Sequence, residues 1–240
     1  MKNDSPFKFK QFECSHRHSS MKIGVDAVLA GVWCDVSNCR RVLDAGCGCG
    51  VIALIVAQRC LNAQIDAIDI HEDSVKEAAA NFNRSPWGAR MSASMADFDS
   101  LKPGEENAYD LIVSNPPYFN AGVEKIDTSR LAARHQKTLS PFVLLQKAPE
   151  LLAPGGRLAF VCPAEFEPSL IEESRLHGMA QVRTCRVSGR AGSAPKRVLM
   201  EFLYGDAETA PIITNMAIEY SPLRHTEEYI AMTKDFYLKF

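Results

Sequence analysis

The segment Asn115-Pro116-Pro117-Tyr118 combines a side-chain amide, two residues without an N–H, and an aromatic ring. The prolines fix the backbone, so the Asn115 side-chain carbonyl and the Pro116 backbone carbonyl can accept both protons of one NH2 group. An amine conjugated to a ring is a poor nucleophile. Two acceptors favour a pyramidal nitrogen with an available lone pair, and Tyr118 can stack on the ring. Such a site works by positioning and electrostatics, not through a strong base. A plain proline turn is the competing reading of the same residues.

A second group is Asp44-Ala-Gly46-Cys-Gly48-Cys-Gly50. Gly46 and Gly48 permit tight backbone angles and close approach of a ligand. A dinucleotide loop would read GxGxxG and hold a pyrophosphate on the following helix. Here the spacing is GxGxG, with an acid two residues before the first glycine. Asp44 disfavours an anion there and favours a ligand with a cationic centre and an ammonium group. S-adenosylmethionine has both. Asp69 can accept two hydrogen bonds from a ribose diol. Asp97 can accept from an adenine amino group, with Phe98 beside it giving a backbone N–H or an apolar contact.

The elements that must position these residues alternate. Short apolar runs at 41–44, 64–69, 91–95, 109–114, 157–162, 181–188 and 196–204 read as seven strands. Helical patterns lie at 51–60, 73–82, 142–152 and 164–177. Alternation of this kind predicts an α/β fold, with a mostly parallel seven-stranded sheet and helices on both faces. Ligands then bind outside the carboxyl ends of the strands, and Asp44, Gly46, Gly48, Asp69, Asp97 and Asn115–Tyr118 all fall there. Before the first strand, Asp26 is positioned to cap a helix reaching Trp33, with Val25, Val28, Leu29 and Val32 as its apolar stripe. Phe7, Phe9 and Phe12 suggest a short strand. Residues 1–38 are expected to form an N-terminal extension and 39–240 the main domain, whose tail folds back as a strand and a helix.

The chain has 240 residues, 46% hydrophobic and 23% charged, a composition that excludes disordered and collagen-like classes. No apolar run approaches the ~18 residues of a membrane span, and no signal peptide is visible, so a cytoplasmic location is expected. Eight cysteines without a CxxC pair argue against a disulfide framework. Cys14, His16 and His18 match no common zinc spacing and lack a second ligand cluster, so no metal is expected. Net charge is −2 but unevenly spread. Residues 44–110 hold eleven acids and five bases, whereas 174–200 hold six bases and no acid. Basic flanks around an acidic middle can present a basic face to a polyanion, although each segment alone also suits ordinary surface charge. The candidate contacts are Lys22, Arg130, Arg134, His135, Lys137, Arg183, Arg186, Arg190, Lys196 and Arg197. With no apolar surplus to mark an interface, a monomer without an obligate protein partner is expected.

From about residue 40 to 205 the chain resembles the class I S-adenosylmethionine-dependent methyltransferases, with their Rossmann-like fold. That resemblance implies cofactor contacts at Asp44, Gly46, Gly48, Gly50, Asp69, Ile70, Asp97, Phe98 and Asn115. It also implies amino-group chemistry at Asn115, Pro116, Pro117 and Tyr118. The flanks Met21-Lys-Ile-Gly-Val-Asp-Ala27, Arg134-His135, Pro195-Lys-Arg-Val198 and Thr233-Lys-Asp-Phe-Tyr-Leu-Lys-Phe240 are similar to the bacterial tRNA(Val) adenine-N6 methyltransferase family. Members of that family modify the adenine at position 37, beside the anticodon. Val25 departs from the family pattern, where threonine is expected, so any role of that hydroxyl is lost here. A protein glutamine methyltransferase is the alternative, but only about forty residues precede the cofactor strand, too few for the helical N-terminal domain typical of that class. A third reading is an RNA-binding protein that kept the fold without turnover.

Overall fold

Val42-Leu43 and Leu111-Ile112-Val113 are wholly buried, as strands covered on both faces must be. The computed structural model describes residues 5–19, 22–102, 108–117 and 139–240. In chain order the elements begin with β1 (Phe7–Lys8), β2 (Glu13–Cys14), α1 (Val25–Trp33), β3 (Arg41–Ala45) and α2 (Val51–Arg59). Then come β4 (Gln64–Asp69), α3 (Glu72–Arg84), β5 (Met91–Met95), β6 (Tyr109–Ser114), α4 (Pro141–Leu151) and β7 (Leu152–Pro163). The chain closes with α5 (Glu167–Leu176), β8 (Met179–Arg190), β9 (Arg197–Tyr204), β10 (Ile212–Ser221), β11 (Arg224–His225) and α6 (Glu227–Thr233).

One sheet runs β11-β10-β8-β9-β7-β6-β3-β4-β5. β9 is antiparallel to β7 and β8, and β11 to β10; the other pairs are parallel. All seven expected strands are present. Among the described residues the sheet has nine strands, because the tail adds β10 and β11. Without them β8 would be an open edge with unpaired backbone groups, and Ile212-Ile213-Thr214 carries the β-branched residues that suit a strand. β10 takes that edge in parallel register from Ile212↔Arg183 to Glu219↔Arg190.

Alternate residues of each strand feed opposite faces. Val42, Ile65, Leu111 and Val113 pack with α1, α2 and α3, and Leu43, Ile112, Leu158 and Phe160 pack with α4 and α5. The expected cap on α1 is corrected: Gly24 is its N-cap, with no side-chain hydrogen bond, and Asp26 instead pairs with Arg197 at 2.5 Å. The β1–β2 hairpin docks on the tail through Lys10 N donating to Phe236 O at 2.8 Å and Phe9 stacking on Tyr237. Phe9, Phe12 and Cys14 join the same core as α1 and α2. Among the described residues no helix is long and apolar enough to cross a membrane.

Candidate active site

β3 is flanked by β4 and β6. The chain winds outward through β4 and β5, then returns to β6 and β7, so a crevice opens at the carboxyl ends of β3 and β6. Ala45 is level with Ser114, and the Ser114 hydroxyl donates to Ala45 O at 2.7 Å. That buried bond, which no sequence motif signals, ties the start of the glycine loop to the start of Asn115-Pro116-Pro117. Pro116 is buried, and Asn115 and Pro117 are half-buried at the crevice.

Gly46, Gly48 and Gly50 have φ of +71°, +54° and +79°, the left-handed region that side chains avoid. The loop is pinned by Cys47 N to Ile68 O and Gly50 N to Cys47 O, both 2.8 Å, and by Gly48 N to Asp69 Oδ2 at 2.9 Å. Among the described residues, a Cβ on Gly48 would meet nothing within 4 Å, which leaves room for a ligand to approach the loop there. Asp69 also accepts from His71 N through Oδ1 at 2.9 Å. Each of its oxygens keeps a second lone pair, enough for a ribose diol. Asp97 accepts from Asp99 N at 3.1 Å and caps a short 3-10 turn. The Phe98 ring is buried in the core. Ile70, 51% exposed, leaves an apolar side chain in solvent at the end of β4. Tyr118, Arg130, Arg134, His135 and Lys137 lie outside the described residues.

Asp44 is fully buried. Its Oδ2 accepts from Ala53 N at 3.0 Å, while Oδ1 has no partner among the described residues. A buried carboxylate oxygen without a donor is costly, and an ammonium group at this loop would satisfy it. Burial pushes the Asp44 carboxyl up to about 7, against the Ala53 amide and with help from the Asp69 charge. The donor set therefore fits S-adenosylmethionine: Asp44 for the ammonium, Asp69 for the ribose, and the glycine loop for close approach.

The basic candidates divide by position. Register puts Val187 and Pro163 level with Arg197 and Glu219 level with Arg190. Arg186, Arg190, Lys196 and Arg197 therefore stand at the sheet end that carries Asp44 and Asn115. Lys196 and Arg190 are exposed. Arg186 forks onto Glu167 with two 2.8 Å bonds. Lys22 is exposed, and its Nζ donates to His16 O at 2.9 Å. Arg183 departs from the expected role. Its guanidinium lies 4.4 Å over the Trp33 ring, donates to Trp33 O at 3.0 Å and faces the buried Glu201, away from that rim. Arg157 joins the same cluster with Asp35 and Glu201, so Arg183 anchors α1 to the sheet. Among the described residues no group of three or more His, Cys, Asp or Glu is placed to hold a metal.

The strand order, the acid–glycine loop and the acids at successive strand ends define a class I S-adenosylmethionine-dependent methyltransferase. The family model of the methyltransferase small domain matches residues 28–183. The tRNA1(Val) (adenine(37)-N6)-methyltransferase of Parabacteroides distasonis is 41% identical over 233 residues, 97% of this chain and 98% of its own, and that of Actinobacillus succinogenes is 37% identical over the full length of both. This chain belongs to the tRNA1(Val) (adenine(37)-N6)-methyltransferase family. Among solved structures, a predicted O-methyltransferase from Agrobacterium tumefaciens shares the fold at a TM-score of 0.66 and 17% identity, over 88% of this chain and 96% of its own. The cyclase SpnF shares it at 0.55 and 18% identity, over 75% and 81%, so the fold alone does not set the chemistry.

Asp44 gives the donor site a pH signature. Below about pH 7 the free protein holds Asp44 protonated, and an ammonium group draws out the carboxylate form, so binding releases a proton. Affinity for S-adenosylhomocysteine is expected to fall about tenfold per unit as pH drops below that value. Calorimetry in buffers of different ionisation heat reads both the slope and the proton. Asp44→Asn should bind weakly and lose the slope; an unaltered slope in that variant would remove Asp44 from the role.

Proposed function

We propose that this chain methylates the exocyclic N6 of an adenine in tRNA, at position 37 beside the anticodon of tRNA(Val). One observation carries the reading: Asn115-Pro116-Pro117 emerges from β6 directly beside the loop that follows β3, with Ala45 and Ser114 in register. The near full-length relatives supply the substrate.

When bound, S-adenosylmethionine supplies an electrophilic methyl group and a neutral thioether leaving group. The chain's own work is to place the amine. Asn115 and the Pro116 carbonyl accept the two amino protons and aim the nitrogen lone pair, while the prolines keep those acceptors fixed. The protein needs no strong base before transfer, because the proton becomes acidic only as the new N–C bond forms. An adenine in a loop is cheaper to present than one inside a duplex. The chain acts as a cytoplasmic monomer.

The test is transfer of labelled methyl to bulk tRNA from a strain lacking this protein, followed by nucleoside analysis. Label in N6-methyladenosine of tRNA(Val) is expected. Label absent from tRNA but present in a protein glutamine would overturn the substrate assignment. The rim makes a second prediction. Arg190→Ala with Lys196→Ala should reduce the salt slope of tRNA binding by about 1–2. Arg183→Ala should leave that slope intact and lower the Tm, because Glu201 loses a buried partner. A double variant with the wild-type slope would take the rim out of the RNA path.

A further inference from the structure

α3 carries two polar residues on one buried face, Glu77 and Asn81, four apart and so neighbours on the helix surface. Glu77 is 6% exposed and Asn81 fully buried, unusual places for such side chains without a task. Both face the segment 15–19. Glu77 accepts from the Ser15 hydroxyl at 2.8 Å and from the backbone N–H groups of Arg17, His18 and Ser19 at 2.6, 3.0 and 2.7 Å. Burial works against ionisation, yet the bonds from Ser15, Ser19, Arg17 and His18 hold its carboxyl below the ordinary range. Asn81 accepts from Ser15 N at 2.9 Å and donates to Ser15 O at 2.8 Å. It also donates to Cys49 O at 2.8 Å, and that carbonyl belongs to the glycine loop.

A glycine-rich loop has little conformational preference of its own. Its donor-ready shape must come from bonds to its surroundings. Among the described residues, three side chains from outside the loop bond its backbone between Gly46 and Gly50: Asp69 at Gly48 N at 2.9 Å, Asn81 at the Cys49 carbonyl at 2.8 Å, and the Cys14 thiol at that same carbonyl at a longer 3.7 Å. Asp69 has a ligand to hold. Asn81 holds the next residue of the loop and is clamped in turn by Ser15, in the segment that Glu77 gathers.

We propose that Asn81, steadied by Glu77 through residues 15–19, is a positioning residue of the donor site. It fixes the Cys49 carbonyl, and with it the loop conformation that receives S-adenosylmethionine; this rests on the S-adenosylmethionine reading above. Pre-organising the loop lowers the ordering cost of binding. The effect therefore falls on donor affinity and not on the methyl-transfer step.

The experiment measures S-adenosylhomocysteine binding at 10 °C, initial rates and Tm for the wild type, Asn81→Asp, Asn81→Ser and Glu77→Gln. Asn81→Asp keeps shape and the acceptor for Ser15 N, but sets an oxygen against the Cys49 carbonyl. It is expected to raise Kd and the donor KM about tenfold, with kcat at saturating donor and the tRNA KM little changed. Asn81→Ser and Glu77→Gln should move the same two constants by about three- to fivefold. A purely structural role would lower Tm in all three and leave Kd at 10 °C untouched, and that result overturns the proposal. If Asn81→Asp does not fold, the other two variants decide by the same criterion. Wild-type protein that binds no S-adenosylhomocysteine would instead bring down the donor reading, and this inference with it.

Discussion

Asn115→Ala is expected to lower kcat at least ~100-fold while S-adenosylhomocysteine binds within about threefold of wild type. The reason is geometric. Ser114, the residue before it, is fully buried and bonded to Ala45 O, and Pro116, the residue after it, is buried. The backbone therefore stays in place when the amide is removed, and what disappears is the acceptor that aims the amine. Single-turnover rates separate this from slow product release, and calorimetry checks the donor site. Full turnover in Asn115→Ala would leave the Asn-Pro-Pro turn as a plain strand exit. Weakened donor binding with unaltered single-turnover rate would move Asn115 to the cofactor side of the crevice.

Gly50→Ala should damage the fold more than any other single methyl added to the loop. Gly50 is the N-cap of α2 at φ +79°, and a Cβ there would lie 2.5 Å from the ring of the buried Phe82. Left-handed strain of about 1–2 kcal/mol and overpacking of about 1–3 kcal/mol add. The sum predicts a Tm lower by roughly 5–15 °C. Gly48→Ala bears only the first of these costs, since among the described residues nothing lies within 4 Å of its new Cβ. It should fold nearly as well and lose donor affinity, because the methyl projects into the space a ligand needs. Thermal melts and S-adenosylhomocysteine titrations of both variants check the contrast, and Phe82→Leu should restore part of the Gly50→Ala loss. Equal Tm changes in the two variants would show that the ring contact is unimportant.

Much of the framework of the candidate site was legible because it is local. A buried parallel strand is a short apolar run, and Gln64–Asp69, Met91–Met95 and Tyr109–Ser114 fall where their patterns put them. Gly46 and Gly48 read as residues that permit tight backbone angles, and both, together with Gly50, take left-handed φ values. Helix ends were less legible. Asp26 looks like a cap by residue type, but the chain turns at Gly24 and Arg197 claims the carboxylate. The tail was expected to fold back as a strand and a helix, with nothing to say which edge the strand would complete.

Partner choice is what the chain order hides. Charge counting treated Arg183, Arg186 and Arg190 alike, yet the fold turns Arg183 toward Trp33 and Glu201, forks Arg186 onto Glu167 and leaves Arg190 exposed on the rim. Glu77 and Asn81 read as members of a good helix, with nothing to mark that residues about sixty positions earlier would close on them. Residue type and short-range spacing determined the strands, the glycine loop and the Asn-Pro-Pro turn, because each is built within a few residues by backbone sterics and local hydrogen bonding. The tertiary structure decided which charges face solvent, which are consumed inside the fold, and what steadies the loop. Those outcomes depend on groups far apart in the chain meeting in a low-dielectric interior, where an unpaired polar atom is too costly to leave alone.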